Sequence, residues 1–211
     1  MTEAARTLES HGWWLASRAS GVVALVLVTF SVGVGLAMSS KVMRGPGLSR
    51  KLMALHEHTA LAGLIAIAIH GITLLGDSWL RPGVAGVAVP FVLDYRPFFT
   101  ALGIIAGYLA VLLGLSFYLR QRIGAKLWRK AHRAAVAVWV LGLVHALGAG
   151  SVTTAIWFRW WVIATTPLIG GLLVARVLES RAPKEAGAPA KATKSADKPA
   201  ARPQAAEPAP G

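Results

Sequence analysis

The hydrophobic residues of this chain are concentrated in five long runs, and the polar and charged residues lie between them. Each run is close to the ~20 residues that an α-helix needs to cross a bilayer. The pattern therefore predicts an all-α membrane protein, a bundle of about five transmembrane helices. The predicted spans are Trp13–Met38, Leu52–Leu75, Pro97–Leu119, Ala131–Gly148 and Trp157–Leu178.

The composition favours a membrane protein over a soluble domain. Of the 211 residues, 55% are hydrophobic and only 15% are charged, whereas soluble domains carry about 25% charged residues. The chain has no cysteine, which excludes disulfides, thiolate metal ligands and cysteine nucleophiles. We predict a membrane domain over residues 1–180. Residues 181–211 are rich in Ala, Pro and Lys and are predicted to form a disordered cytoplasmic tail.

The basic residues predict the orientation of the bundle. They give the chain a net charge of +13, but they cluster beside the spans, which favours a topology signal over nucleic-acid binding. Seventeen of the 22 Lys and Arg residues lie between spans one and two, between spans three and four, or after span five, with Arg133 and Arg176 counted at the ends of their spans. By the positive-inside rule, we expect the N-terminus outside and the C-terminus in the cytoplasm. Our hypothesis is a multi-pass protein of the bacterial inner membrane.

Four histidines lie at matching depths on spans two and four. His56 and His132 each follow a basic cluster, and His70 and His145 lie about 21 and 20 Å further along, at 1.5 Å per residue. Intramembrane ionisable residues are costly and mark functional sites. A haem iron with two axial ligands needs them to face each other from separate elements. The pattern predicts two bis-histidine haem b sites between spans two and four, one formed by His56 and His132 and one by His70 and His145.

Helical phase separates the candidates on span two. At about 100° per residue, His70 falls within about 40° of the face of His56. His58 is about 120° out of phase with His70, so it is the reserve ligand for His56. Arg18, just inside the outer end of span one, is a candidate partner for a haem propionate. No residue is assigned a catalytic role.

Span four fits an ideal helix less well. The thirteen residues from His132 to His145 leave an angular mismatch of about 140°. Bringing both rings to the same face requires a π-bulge or local unwinding, which we place near Gly142. Zinc and copper stay open as alternatives to haem iron, because histidine ligates both metals. The two pairs are about 20 Å apart, however, and only one carboxylate, Glu57, lies near.

Three stretches carry a family resemblance: Arg18–Gly21 (R-A-S-G), the His56 and His70 pair on span two, and Leu127–Arg133 (L-W-R-K-A-H-R) followed by His145. They resemble the ferric-reductase-like transmembrane domain, which ferric reductases, NADPH oxidases and the haem-binding subunit of the bacterial methionine sulfoxide reductase system share. The resemblance covers about Trp13 to Leu178. The thirteen-residue spacing on the later helix also occurs in this family. Members usually have six spans, so a sixth span is absent here or miscounted.

The resemblance implies that His56 and His132 bind an inner haem and that His70 and His145 bind an outer haem. We expect a b-type cytochrome that moves electrons across the membrane to an external acceptor such as Fe(III). The alternative is a haem-binding electron-transfer subunit that serves a periplasmic redox partner, of the methionine sulfoxide reductase type. A non-haem transport or structural protein is the third interpretation.

The electron donor is expected to be a separate molecule. Eukaryotic-type members of the family carry a cytosolic module for FAD and NADPH, but no G-x-G-x-x-G opens a helix after a strand in this sequence. We therefore expect a cytosolic flavin reductase or membrane quinol to supply electrons to the inner haem. Whether the chain is itself an enzyme stays open at this point.

Overall fold

The computed structural model describes residues 3–40 and 47–181, with side chains from residue 11 onward. The described residues form eight α-helices and no strand. The predicted disordered tail beyond Arg181 and two basic residues of the first loop, Lys41 and Arg44, lie outside the described residues. The helices are α1 Glu3–Ser39, α2 Leu48–Leu74, α3 Gly83–Ala88, α4 Pro97–Leu115, α5 Arg120–Ile123, α6 Ala125–His132, α7 Ala135–Ala149 and α8 Ile156–Arg181.

Five helical segments in the described part of the chain are long and apolar enough to cross a membrane. They are α1 from His11 onward, α2, α4, the segment that contains α6 and α7, and α8. At most 33% of the most apolar stretch of each segment is buried inside the protein, so its remaining apolar side chains form an outer surface suited to lipid. The prediction of an all-α bundle with five candidate spans is confirmed.

The bundle is built from two closely packed helix pairs. Helix α1 packs along α2, α4 packs along α7, and further contacts join α1 to α7 and α2 to α4. The main apolar core contains Leu36 of α1, Leu143 of α7 and Ile169 of α8. A buried hydrogen bond crosses this core, because Trp139 Nε1 donates to Thr29 Oγ1 over 3.0 Å. These contacts hold α2 and α7 on facing sides of one interior.

The fourth span is broken at Arg133–Ala134, where α6 ends and α7 begins. The amide of Ala134 donates to the Ala131 carbonyl and the amide of Ala137 donates to the Ala134 carbonyl, each over 2.9 Å. These i to i−3 bonds are of the 3₁₀ type, which turns about 120° per residue and so reduces the predicted angular mismatch. Helix α7 runs through Gly142 without interruption. The predicted position of the unwinding near Gly142 is therefore wrong.

The segment between α2 and α4 is tied to the same end of the bundle as His70 and His145. Asp77 Oδ1 accepts hydrogen bonds from the amides of the second and third residues after it, over 2.9 and 3.0 Å. A Cβ added to Gly71 on α2 would lie 3.5 Å from Val87 of α3, so the two helices are in close contact there. The Arg96 guanidinium donates to the Gly148 carbonyl at the end of α7.

Candidate functional site

The four predicted histidines meet in two pairs between α2 and the α6–α7 segment. We call His56 with His132 pair A, and His70 with His145 pair B. The ring centroids are 6.0 Å apart in pair A and 6.4 Å apart in pair B, with interplanar angles of 88° and 70°. Two metal–nitrogen bonds of about 2 Å, plus about 1.1 Å from each nitrogen to its ring centroid, require about 6.2 Å. Both spacings therefore fit one metal ion between two imidazoles.

Helix α1 orients both histidines of α2. The Nδ1 atom of His56 lies 2.8 Å from the Ser31 carbonyl oxygen, and the Nδ1 atom of His70 lies 2.8 Å from the Ser17 carbonyl oxygen. A carbonyl oxygen only accepts hydrogen bonds, so Nδ1 is the donor and Nε2 is the ring nitrogen that is left to bind a metal. Metal-ligating histidines commonly have such a second hydrogen bond, which fixes the ring and raises its basicity.

Helix α4 orients one histidine of the opposite span in the same way. The Nδ1 atom of His145 lies 2.9 Å from the Phe99 carbonyl oxygen. His132 also has a backbone group of α4 beside its ring, at Leu113, but its buried Nδ1 atom makes no hydrogen bond of ordinary length. Its ring stacks on Trp128, with centroids 4.9 Å apart and planes at 21°. Trp128 is itself held by Ser116, whose Oγ accepts a hydrogen bond from Nε1 over 3.2 Å.

Each of the three carbonyl-bonded rings also lies against a glycine of the neighbouring helix. The ring comes so close to the helix backbone that a side chain at any of these positions would press on the imidazole. Glycine is therefore the residue that fits there. The distances from an added Cβ are 3.2 Å from Gly35 to His56 Cε1, 3.0 Å from Gly21 to His70 Nδ1, and 2.5 Å from Gly103 to His145 Nδ1.

The contacts on α1 form a short repeat that the sequence analysis missed. Ser17–Gly21 and Ser31–Gly35 share the pattern S-x-x-x-G and begin fourteen residues apart, which is also the spacing from His56 to His70. Because α1 and α2 are antiparallel, equal spacings bring each serine to one histidine. This repeat is a signal that could have identified Ser31 and Gly35. Phe99 had no such signal, because it contributes a backbone carbonyl.

A cavity of about 440 Å³ opens beside pair A. Both histidines of the pair line it, and most of its other lining side chains are apolar. Its volume is in the range of small-molecule and cofactor sites. Guanidinium groups at its wall supply donors for anionic groups such as carboxylates. The charged lining residues are Glu57, Arg129, Arg133 and Arg176.

The two remaining candidates lie beside the pairs. His58 is exposed, and its Nδ1 atom bonds to the Ala54 carbonyl of its own helix over 2.6 Å. The structure thus brings His56, and not the reserve ligand His58, across from His132. Arg18 is half-buried, and its guanidinium carbon lies 5.1 Å from the centroid of the Trp14 ring. Within the described residues, no group of three or more His, Asp or Glu side chains is arranged to hold a metal ion.

No protein-family model, no curated protein and no solved structure matches this chain. The resemblance to the ferric-reductase-like domain rests on the residues quoted above. All three of its stretches contribute to the pairs, and the second consists of His56 and His70 themselves. Gly21, the last residue of R-A-S-G, lies against His70 in pair B. His132, in L-W-R-K-A-H-R, stands across from His56 in pair A.

Proposed function

We propose that this chain is a b-type cytochrome of the bacterial inner membrane, related to ferric-reductase-like domains. Pair A and pair B each hold one haem b, and electrons pass singly through the two haems to an external acceptor such as Fe(III). The observation that carries the proposal is the presence of two facing histidine pairs, with ring centroids 6.0 and 6.4 Å apart. Haem supplies one-electron redox chemistry when it is bound.

The number of histidines in each pair, and the hydrogen bonds that orient them, favour haem over zinc or copper. Each pair offers two imidazoles, whereas a structural zinc site takes four protein ligands. Haem iron takes only its two axial ligands from the protein. Three of the four imidazoles donate from Nδ1 to a carbonyl, which leaves Nε2 as the nitrogen that can ligate. The apolar cavity and its arginines suit a flat apolar macrocycle with two carboxylates.

The position of the pairs along the bundle supports transmembrane electron transfer. His56 and His70 are separated by about 21 Å of helix, a large part of the ~30 Å hydrocarbon core. The excess of basic residues supports an orientation with pair A on the cytoplasmic side and pair B on the outer side. In this orientation Arg18 is the candidate partner for a propionate at pair B. A cytosolic flavin reductase or membrane quinol supplies the electrons at pair A.

Electron passage across a sealed membrane tests the proposal. Haem-loaded protein is reconstituted in vesicles with ferricyanide inside, and dithionite is added outside. We expect ferricyanide to be reduced faster than in empty vesicles. The double variants His56→Ala/His132→Ala and His70→Ala/His145→Ala should each return to the rate of empty vesicles, because each lacks one of the two haems. Fe(III) citrate in place of ferricyanide tests the acceptor.

The matched control for these variants is His58→Ala, which removes an exposed histidine of the same helix. Its rate should equal that of the unmodified protein. A haem-loaded protein that passes no electrons contradicts the proposal, and so does an unchanged rate in either double variant. The test also separates the cytochrome from a transport protein, which needs no haem for its activity.

A further inference from the structure

Helix α6 carries two lysines that take no part in the histidine pairs. Lys126 and Lys130 lie one turn apart, and both side chains are exposed. Neither lines the cavity beside pair A, whereas Arg129 of the same helix does. The chain has no acidic residue between Asp94 and Glu179, so the segment that contains α6 provides no carboxylate to neutralise the two lysines. Their ammonium groups are available to an anion from outside this segment.

Contacts on the opposite side of α6 fix the direction in which the lysines point. Trp128 Nε1 donates to Ser116 Oγ over 3.2 Å, and the centroid of the Trp128 ring is 5.9 Å from that of Phe117. At about 100° per residue, Lys126 and Lys130 each lie about 160° from Trp128 and about 40° from each other. Because the Trp128 ring packs against the residues that follow α4, the two lysines point away from the bundle.

The segment around the lysines also exposes apolar side chains. Leu127, between the two lysines, is 61% exposed, and Leu119 and Ile123 are 50% and 38% exposed. Mixed basic and apolar residues are typical of segments at a membrane interface, where the apolar side chains enter the acyl region and the basic ones meet anionic headgroups. An acidic protein surface would match the lysines but not these apolar side chains. The composition of the segment therefore favours a lipid over a protein.

The lysines are placed at the depth of lipid headgroups. The ~30 Å hydrocarbon core of a bilayer corresponds to about 20 residues of helix. When the core is centred midway between His132 and His145, it ends close to Trp128. Lys126 is then just outside the core, and Lys130 is just inside its edge, from where the flexible aliphatic chain of a lysine carries its ammonium group to the headgroups. Both lysines can reach the headgroup layer on the side of pair A.

We propose that Lys126 and Lys130 bind the phosphate group of an anionic phospholipid at the membrane surface on the side of pair A. Side chains four residues apart on a helix are neighbours, with Cβ atoms about 5–6 Å apart, so two ammonium groups can approach the oxygens of one phosphodiester. Leu127 contacts the acyl chains beside the bound headgroup. The site does not depend on haem, because none of these three residues lines the cavity beside pair A.

Energy transfer to labelled lipids in phosphatidylcholine nanodiscs tests the site. The chain has no cysteine, so Leu127→Cys allows one fluorophore to be attached beside the lysines. The acceptor is a trace of phosphatidylglycerol or of phosphatidylcholine, labelled on the acyl chain. Each basic residue near an anionic surface contributes about a 5-fold preference, so we expect phosphatidylglycerol to be enriched about 5-fold or more near the fluorophore. A fluorophore at Val84→Cys on α3, where the side chain is 73% exposed, should show no enrichment.

Removal of charge locates the site. Lys126→Gln/Lys130→Gln should abolish the enrichment, and Lys126→Arg/Lys130→Arg, which keeps both charges, should retain it. The matched control is Arg50→Gln/Lys51→Gln, which removes the same charge from two exposed residues near the start of α2, and it should leave the enrichment unchanged. An equal loss in the control variant would show a diffuse effect of net charge and would contradict the proposal.

Free phosphate and an acidic protein surface are the other candidate occupants. Inorganic phosphate should reduce the enrichment no more than chloride does at the same ionic strength. A loss with phosphate alone would assign the lysines to free phosphate and overturn the lipid site. Equal transfer to both lipids in the protein that keeps both lysines would also overturn it, and would leave the acidic protein surface as the occupant.

Discussion

Replacing Gly103 by alanine should weaken haem binding at pair B while leaving the bundle folded. An added Cβ would lie 2.5 Å from Nδ1 of His145 and 2.7 Å from its Cε1 and Cγ atoms. Ordinary van der Waals contacts need about 3.5 Å, so the ring has to move by about 1 Å. The same Nδ1 atom is 2.9 Å from the Phe99 carbonyl. A displacement of this size breaks that hydrogen bond.

The size of the effect follows from the lost hydrogen bond. Removing the outer partner of a metal-ligating histidine typically costs about 10–100-fold in affinity. Alanine is favoured over glycine within a helix by about 1 kcal/mol, which offsets part of the steric strain in the folded protein. We therefore expect a 10–100-fold weaker haem affinity at pair B, with little change in the stability of the bundle.

Haem titration of the apoprotein in detergent, followed by absorbance, measures this change, and thermal unfolding monitors the fold. The control is Gly107→Ala on the same helix, where an added Cβ would meet Ile67 at an ordinary 3.7 Å. The control variant should bind haem at pair A and at pair B as tightly as the unmodified protein does. The reasoning is refuted if Gly103→Ala binds haem at pair B as tightly as the control does.

Four further substitutions have outcomes that the contacts predict. His58→Ala should keep both haems in a haem assay, because His58 is exposed; loss of one haem would reassign the ligand. Gly21→Ala and Gly35→Ala should weaken pair B and pair A respectively, each less than Gly103→Ala weakens pair B, because their added Cβ atoms approach the rings only to 3.0 and 3.2 Å; haem titrations that reverse this order would contradict the steric argument. Trp139→Phe should cost about 0.5–1.5 kcal/mol in the free energy of unfolding in detergent, because Thr29 loses a buried hydrogen bond; unchanged stability would count against that bond.

The spans were predictable because a bilayer imposes a minimum length on every crossing helix. The sequence indicated five of them, and the five candidate helices agree with the predicted positions within a few residues, except that the fourth begins at Ala125 instead of Ala131. The break in that span was misplaced because Arg133 and Ala134 are neither glycine nor proline and carry no signal of a helix end. Gly142 carried such a signal, but α7 passes through it unchanged.

The four histidines of the candidate site could be predicted from the sequence. Most of the groups that orient them could not. Matching depth on two parallel spans predicted which histidines face each other, and the structure brings both pairs together. The carbonyl of Phe99 could not be predicted, because any residue has a carbonyl and only the packing of α4 on α7 selects this one. Ser31 and Gly35 were detectable, because the repeat on α1 matches the spacing of the histidines on α2.

The central claim is that each facing histidine pair binds one haem b. The most direct test is the molar ratio of haem to protein after purification in detergent from cells supplied with haem, together with the reduced-minus-oxidised absorbance spectrum. We predict a ratio of two and a b-type spectrum. A folded, colourless protein, with a ratio near zero, would contradict it.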